Sequence, residues 1–430
     1  HVTNSLEVST VARGLAQQIT QSLFSAISEK KRRQAREIET IAETCGLIHD
    51  VGNPPFGHAG EDAIQNWFLS KAVNANGTLT ELGLAIASHD LPQPPKSLED
   101  ARESQLFQDF ANYEGNAQTL RTMSRLQLMA DRYGLNFTLG TLSASQKYIA
   151  ASHKICKRKQ SMSKPGYFAT ENEIFELVGQ RTGTLGRRNP IAFLVEAADD
   201  AVYSAVDLED AARKGELDWA TIKEEVESSY EDGRKLTKDV EKSIQGRATS
   251  AGFPNALTRS EREEAYCQMF RTYVIGLLKD AAAQTFVAKS PKIMSGEYDG
   301  ELLESSKRKD LWEACKRLAR KEVFCSRRIL ELESMGRKVI TDLLDFFWEG
   351  ARRFDDSQGD VPFTDFPFGN KAFHLMSANY RRVFRYDREN GSLPKEYYAL
   401  QLVTDYVCGM TDSFAKNLHR KLMNSPVQAV

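Results

Sequence analysis

The stretch CGLIHDVGNPPFGHAGE, residues 45–61, gives the clearest indication of the fold. A helical pattern leads into adjacent His49 and Asp50, and glycines and prolines follow directly. These residues end helices, because Gly tolerates unusual backbone angles and Pro lacks a backbone N–H donor. The next helical pattern begins at His58, and Glu61 follows one turn later on the same face. A chain with seven histidines therefore groups two of them, each beside a carboxylate, around one rigid corner.

Both pairs at this corner carry residue types that are used in catalysis. At a helix end, His49 and Asp50 can approach one point, and an imidazole nitrogen with a carboxylate oxygen suits a divalent metal ion. His58 and Glu61 match a general acid/base pair, in which a carboxylate orients a histidine. Each pair also has a plain structural interpretation as a helix cap. A second His-Asp dipeptide at 89–90 is interpreted as loop.

The composition describes an ordinary globular chain. Its 430 residues include 57 Lys and Arg against 59 Asp and Glu, so a net charge of −2 gives no case for nucleic-acid binding. No apolar run approaches about 18 residues, so no membrane span is expected. Six cysteines without a CxxC pair favour a reducing, cytoplasmic setting. The chain begins with His rather than Met, and we expect its native N-terminus to be absent from this sequence.

Apolar residues recur with a helical period along most of the chain, which predicts an all-α, mainly helical fold. Strand-like alternation is short and rare, with one candidate at 166–171. Length and charge distribution suggest more than one folding unit. We expect three regions: a catalytic core over 1–215, a charged helical lobe over 216–300, and a C-terminal helical region over 301–430 that completes the core.

The long helix predicted over 191–215 carries a second polar constellation. Asp199, Tyr203 and Asp207 are spaced four residues apart, which places two carboxylates and a phenol along one face. Carboxylates among apolar residues are costly unless they are paired or bind a metal. Salt bridges on a surface stripe are the alternative, and the apolar neighbours on the adjoining face argue against it: Ala198, Val202 and Val206.

Taken together, the motifs resemble those of the bacterial dGTP triphosphohydrolases of the HD-domain superfamily. The matching stretches run in order along nearly the whole chain: HDVGNPPFGHAGEDAI (49–64), NYEGNAQTLR (112–121), KPGYF (164–168), RRNPIAFLVEAADDAVYSAVDLEDA (187–211) and DYVCGMTDSFA (405–415). The resemblance implies a helical HD-domain core with an appended helical lobe. It also implies hydrolysis of a dNTP, with dGTP preferred, to a deoxynucleoside and inorganic triphosphate.

The resemblance also implies roles for individual residues. The metal ligands would be His49, Asp50 and Asp199, and the cofactor would be Mn²⁺ or Mg²⁺. His58 and Glu61 would be the catalytic pair. The remaining residues would contact the substrate: Tyr203 and Asp207 at the sugar, with Asn53, Glu114, Asn116 and Gln118 in the same pocket. The phosphate tail requires cations, and six arginines are unranked candidates: Arg121, Arg125, Arg187, Arg188, Arg381 and Arg382.

One stretch departs from the family pattern. Members supply the first metal-binding histidine in a run like RLTHSLEV, whereas the matching run here is HVTNSLEV. Asn4 thus occupies the place of the histidine, and His1 lies one helical turn earlier on nearly the same face. An amide oxygen is a poorer ligand than imidazole for a transition metal. We favour His1 as the ligand, while Asn4 as a weak substitute, a changed residue and an idle terminal histidine stay open.

The resemblance further implies a homo-oligomer, a hexamer among its forms, with the C-terminal region at the oligomer interface. A nucleotide or single-stranded DNA is an implied effector. Two other functions remain open. One is a different HD-type nucleotide phosphohydrolase, against which the EGNAQ motif and the Tyr203–Asp207 pair argue. The other is a catalytically decayed protein that binds nucleotides or single-stranded DNA, with Asn4 as the trace; the retained His58 and Glu61 argue against decay.

Overall fold

The computed structural model describes residues 2–24, 29–127, 131–250, 257–354 and 367–424. These ranges are mainly helical, which confirms the predicted all-α class. The helices in chain order are α1 (Val2–Phe24), α2 (Glu29–Ile48), α3 (His58–Ala72), α4 (Glu81–Ala87), α5 (Leu98–Ala101), α6 (Gln105–Ala111), α7 (Gly115–Arg121), α8 (Leu139–Ala144), α9 (Asn172–Thr182), α10 (Pro190–Arg213), α11 (Trp219–Ser229), α12 (Gly233–Ser250), α13 (Arg259–Ser295), α14 (Lys309–Leu318), α15 (Arg327–Ala351), α16 (Pro367–Leu375), α17 (Ala378–Asn390), α18 (Lys395–Cys408) and α19 (Asp412–His419).

Two short strands, β1 (Ala150–Ala151) and β2 (Pro165–Tyr167), form a parallel pair. The strand candidate at 166–171 overlaps β2 and then gives way to a 3₁₀ turn over Ala169–Glu171. No helix within the described ranges is long and apolar enough to cross a membrane.

The chain forms two compact units, each assembled from separated segments. Unit 1 consists of residues 1–49 and 188–331, and unit 2 of residues 50–187 and 332–430. The division between them falls between His49 and Asp50, inside the stretch CGLIHDVGNPPFGHAGE. The expected regions with boundaries near 215 and 300 do not coincide with these units, and that three-part division stays a prediction.

Unit 1 is a bundle in which α10 packs against α1 and α13, while α1 also packs along α2. The start of α10 is well defined, because Pro190 occupies the first turn and the Asn189 side chain accepts a hydrogen bond from the Ile191 N–H. The inner face of α10 is apolar and includes Phe193, Ala198 and Val202. Burying a large apolar side chain stabilises a fold by about 1.5–3 kcal/mol. The core of unit 1 therefore holds this helix firmly.

Unit 2 has an aromatic core supplied mainly by α3, α6, α15 and α18. Phe68 of α3 packs edge-on against Phe107 of α6 at 5.1 Å between ring centroids, and Phe110 packs against Tyr397 of α18 at the same distance. Edge-to-face pairs add about 0.5–1.5 kcal/mol to the burial itself. This packing fixes α3, and with it the corner that precedes α3.

The corner at residues 50–57 is held by close backbone contacts within unit 2. Gly52 leaves no room for a side chain, since a Cβ there would lie 2.2 Å from the Thr119 nitrogen. Phe56 and Gly57 both have positive φ, 65° and 57°, which only Gly adopts without strain. The Phe56 N–H donates to Asp412 Oδ1 at 3.0 Å. The corner is therefore a fixed turn, and α3 begins at His58 directly behind it.

Candidate active site

His49 is held in one orientation by its own helix. Its Nδ1 lies 2.8 Å from the carbonyl oxygen of Gly46. Because a carbonyl can only accept a hydrogen bond, Nδ1 carries the proton, and Nε2 of the neutral ring has a lone pair. Metal-binding histidines are commonly oriented in this way, through a hydrogen bond from the second ring nitrogen.

Within unit 1, that Nε2 lies 3.4 Å from Oδ1 of Asp199 on α10. This separation is longer than an ordinary N–H···O hydrogen bond, and in the neutral ring both atoms are acceptors. Two facing acceptors are stabilised by a cation between them, either a proton or a metal ion. The donor set, one imidazole nitrogen and one carboxylate oxygen, is therefore chemically suited to the divalent ion that the resemblance implies.

The structure gives less information on the other expected metal ligands. Within the described ranges, no group of three or more His, Cys, Asp or Glu side chains is arranged to hold a metal ion. His1 lies outside the described residues, and Asn4 is a partly buried residue of α1. Asp50 accepts a hydrogen bond from the Asn53 amide at 2.7 Å in unit 2. The metal-ligand assignment thus stays a prediction.

The two other polar residues of the α10 face differ in environment. Tyr203 is 52% exposed, so its ring is accessible. Asp207 is partly buried, and its Oδ2 is buried without a hydrogen-bond partner among the described residues. Burial, followed by the nearby charge of Asp210, raises the pKa of Asp207 to about 7. A buried acceptor without a partner is costly, and a ligand hydroxyl would satisfy it.

Unit 2 contains a second polar cluster, formed by Glu61, Glu114 and Lys164. Glu61 in the first turn of α3 is 7% exposed, and its Oε1 accepts a hydrogen bond from the Gly115 N–H at 2.7 Å. Glu114, the residue before α7, is 3% exposed. Its Oε1 accepts from the Asn116 amide at 2.7 Å, and its Oε2 accepts from Lys164 Nζ at 3.1 Å. The structure thus brings together two expected substrate residues, one expected catalytic residue and a lysine.

The environment of Glu61 changes its acidity. Burial raises the pKa of Glu61 to about 8, and the negative charge of Glu114 adds to this rise, while Lys164 and the Gly115 N–H oppose it. A carboxyl group with this pKa can hold or release a proton near neutral pH, as general acid/base catalysis requires.

His58 is the first residue of α3, and its side chain is exposed. Although His58 and Glu61 lie one turn apart, no hydrogen bond joins them in the described part of the chain; Glu61 bonds to Gly115 instead. The catalytic pair expected from the sequence therefore stays a prediction.

Gln118 lies in the interior of unit 2. Its side chain is buried, and its Nε2 donates to Asp405 Oδ1 at 2.9 Å. Its Oε1 has no hydrogen-bond partner in the described ranges. The expectation that Gln118 contacts substrate is not tested by this placement, but its described hydrogen bond ties α7 to α18.

Two of the arginines considered for the phosphate tail are engaged inside unit 2. Arg121 is buried and donates through Nε and Nη2 to Asp405, and through Nη1 to Glu171 at 2.9 Å. Arg125 donates to Asp387 at 2.9 Å. These pairs leave Arg121 without a nitrogen for a ligand. Lys164 was missed by sequence reasoning, although it begins the KPGYF stretch that carried part of the resemblance.

Comparison with known proteins identifies the family of this chain. A deoxyguanosinetriphosphate triphosphohydrolase-like protein of Listeria monocytogenes is 32% identical over an alignment of 430 positions, which covers 98% of this chain and 86% of that protein. A deoxyguanosinetriphosphate triphosphohydrolase of Yersinia pseudotuberculosis is 31% identical over 459 aligned positions, with the same coverage. No protein-family model matches the chain. At this identity and coverage, the chain belongs to the deoxyguanosinetriphosphate triphosphohydrolase family, which confirms the resemblance drawn from its motifs.

Proposed function

We propose that the protein hydrolyses deoxynucleoside triphosphates, with dGTP as the preferred substrate, to a deoxynucleoside and inorganic triphosphate. The observation that supports this most directly is the pairing of His49 Nε2 with Asp199 Oδ1, two acceptors 3.4 Å apart in a position that calls for a cation. The buried Glu61–Glu114–Lys164 cluster and the named activity of the Yersinia relative support it further.

The proposed cofactor is Mn²⁺ or Mg²⁺, held by His49, Asp50 and Asp199, with His1 as the favoured fourth ligand. When bound, such an ion would polarise a phosphoryl oxygen and lower the pKa of bound water. The Nδ1 hydrogen bond to Gly46 supports this role, because it leaves Nε2 as the ligand atom of His49.

The chain's own residues account for the other requirements of the reaction. Lys164 supplies positive charge beside two carboxyl groups and is a candidate contact for the phosphate tail. Asp207 offers an acceptor that has no partner among the described residues, and a sugar hydroxyl would satisfy it; the exposed Tyr203 ring lies one turn earlier on α10. We propose that His58 and Glu61 exchange protons with the reacting groups. As the resemblance implies, Asn53, Glu114, Asn116 and Gln118 would contact the substrate.

The test is to incubate the protein with dGTP and Mn²⁺ or Mg²⁺ and to resolve the products by anion-exchange chromatography. We expect deoxyguanosine and intact triphosphate, and a large loss of both with His58→Ala. His89→Ala is the matched control, because His89 is an exposed histidine of the other His-Asp dipeptide. Release of monophosphate and pyrophosphate would mean that a different bond is cut.

A catalytically decayed binding protein is the second candidate, favoured by one observation: Asn4 stands where the family places a metal-binding histidine. This function predicts no turnover of any dNTP, with or without single-stranded DNA, together with retained dGTP binding in equilibrium dialysis. Restored turnover in Asn4→His would then identify the lost ligand. The expected homo-oligomer, effector and cytoplasmic location stay predictions from the resemblance.

A further inference from the structure

The turn from Asp50 to Asn53 is closed by hydrogen bonds between its own first and last residues. The Asn53 N–H donates to the Asp50 carbonyl oxygen at 3.0 Å, and Asn53 Nδ2 donates to Asp50 Oδ1 at 2.7 Å. These bonds hold the shape of the turn, but they do not set its orientation, because donors and acceptors all lie within four consecutive residues. Contacts with the rest of unit 2 therefore decide where its side chains lie.

The side chain of Thr119 on α7 makes such a contact at Gly52. The Gly52 N–H donates to Thr119 Oγ1 at 3.1 Å, and the same hydroxyl donates to the Gly115 carbonyl oxygen at 3.0 Å. All three residues are buried, and a Cβ on Gly52 would lie 2.3 Å from that carbonyl oxygen. A buried N–H without a partner is costly. The Thr119 hydroxyl therefore satisfies Gly52 and ties the turn to α7.

The first turn of α7 also contacts Asn53 and Glu61. A Cβ on Gly115 would lie 2.3 Å from Asn53 Oδ1 and 3.0 Å from Glu61 Oε1, so both side chains lie directly against this backbone. Only glycine permits such an approach. The Gly115 N–H also donates to Glu61 Oε1 at 2.7 Å. One helical turn therefore contacts both the turn that carries Asp50 and the carboxyl group of Glu61.

We propose that Thr119 is a positioning residue of the active site. Its hydroxyl holds the turn against α7, so that Asp50, a proposed metal ligand, and Asn53, a proposed substrate contact, keep a constant position relative to Glu61. Thr119 is itself buried and acts through Gly52. This inference rests on the proposed function and deepens it, because it assigns a part in that function to a residue outside the predicted site residues.

The expected size of the effect follows from how strongly rates depend on placement. A misplacement of about 1 Å can cost about 100-fold in rate, even when its cause lies away from the chemistry. Loss of a group that supports a metal ligand typically costs about 10–100-fold in affinity or activity. Thr119 supports the backbone two residues beyond Asp50 and not the carboxylate itself. We therefore expect an effect at the lower end, about tenfold.

The first test is Thr119→Val in the full chain, which keeps the branched side chain and removes the hydroxyl. With dGTP and Mn²⁺, kcat for triphosphate release should fall about tenfold. Thr119→Ser keeps the hydroxyl and should restore most of the rate.

Thr404→Val is the matched control, because Thr404 is a buried threonine of α18 in the same unit whose hydroxyl donates to carbonyl oxygens of its own helix. Its kcat should match that of the wild type. A merely structural role of Thr119 would lower the unfolding free energy of both valine variants and leave kcat of the folded protein unchanged. Equal kcat values in the two valine variants would overturn the inference.

Amide hydrogen exchange follows the turn without requiring turnover. In the wild type the Gly52 N–H should exchange slowly, because it is buried and hydrogen-bonded. In Thr119→Val it should exchange about tenfold faster, as expected for the loss of one hydrogen bond. Thr119→Ser and Thr404→Val should keep the slow exchange. The amide of buried Phe68 within α3 is the internal reference, and its exchange should not change.

The two measurements separate this inference from the proposed function. Faster Gly52 exchange together with a lower kcat in Thr119→Val would support the inference, whereas faster exchange with an unchanged kcat would overturn it. Rapid Gly52 exchange already in the wild type would overturn it as well, even if Thr119→Val did not fold. A wild type that keeps Gly52 protected but turns over no dNTP would overturn the proposed function and would still support the anchoring of the turn by Thr119.

Discussion

The two polar clusters of this protein differ in how completely the chain satisfies them. The His49–Asp199 pair of unit 1 is partly exposed, and two acceptors face each other at 3.4 Å. The Glu61–Glu114 pair of unit 2 is buried, and a backbone N–H, an amide and an ammonium group all donate to it. We propose that the first cluster binds a cation, whereas the second contains the ammonium group of Lys164.

The two clusters are therefore suited to different parts of the proposed chemistry. If the His49–Asp199 pair binds a metal ion, adding that ion should stabilise the folded protein, because a ligand that binds the folded state stabilises it. A cluster that contains its own cation sets the acidity of its carboxyl groups instead. The proposed hydrolysis requires both metal binding and control of acidity, and each can be tested separately.

The largest expected effect is the loss of the buried ion pairs that Arg121 forms in unit 2. Arg121, the last residue of α7, forms buried ion pairs with Asp405 and Glu171, so Arg121→Met removes the cation that contacts both of these buried carboxylates. Breaking a buried pair on one side costs about 3–5 kcal/mol. We expect a loss of this size in the free energy of unfolding, measured by urea denaturation.

The control is Arg352→Met, because Arg352 pairs with Glu349 at the surface, where a loss of about 1 kcal/mol or less is expected. A similar small loss in Arg121→Met would show that the buried network does not support unit 2, and it would return Arg121 to the candidates for phosphate binding.

The cation-requiring cluster is tested by His49→Ala. Loss of a hydrogen-bonded neighbour of a metal ligand typically costs about 10–100-fold in affinity or activity, and loss of the ligand itself should cost at least about 100-fold. In addition, Mn²⁺ should raise the melting temperature of the wild type but not that of the variant. Differential scanning calorimetry with and without the metal measures this shift, with His89→Ala as the control. Equal Mn²⁺ shifts in the wild type and His49→Ala would exclude a ligand role for His49.

The sequence could predict the first cluster better than the second, for physical reasons. Helical periodicity and the glycine and proline residues after Asp50 place His49 at a helix end, and the same periodicity places Asp199 on one face of α10. Lys164 is separated by 50 residues from Glu114, and no local pattern indicates their contact. The burial of Arg121 depends on Asp405, which lies 284 residues away in the chain. Local rules therefore predicted helices and their polar faces, while pairing across unit 2 required the tertiary structure.

The raised pKa of Glu61 should also make stability depend on pH. Its pKa rises from an ordinary value of 4.5 to about 8 in the folded protein, so the folded state binds more protons than the unfolded state between these values. The free energy of unfolding contributed by this group therefore falls as pH rises through that window. Glu61→Gln removes the contribution, so the difference in unfolding free energy between pH 5 and pH 8 should shrink. An unchanged difference would mean that Glu61 is ionised in the folded state.

The smallest expected effect comes from comparing two lysine–carboxylate ion pairs, one with a buried carboxylate and one with an exposed carboxylate. Lys164 and Lys71 are equally accessible, each with 35% of its side chain exposed, but Glu114 is 4% exposed and the Asp345 partner of Lys71 is 48% exposed. Lys164→Met leaves a desolvated carboxylate without its cation, and after allowance for solvent screening at the lysine we expect a loss of about 1 kcal/mol. Lys71→Met should cost less, because water can solvate Asp345. Urea denaturation of both variants measures the two losses, and equal losses would mean that water already solvates Glu114 in the folded protein.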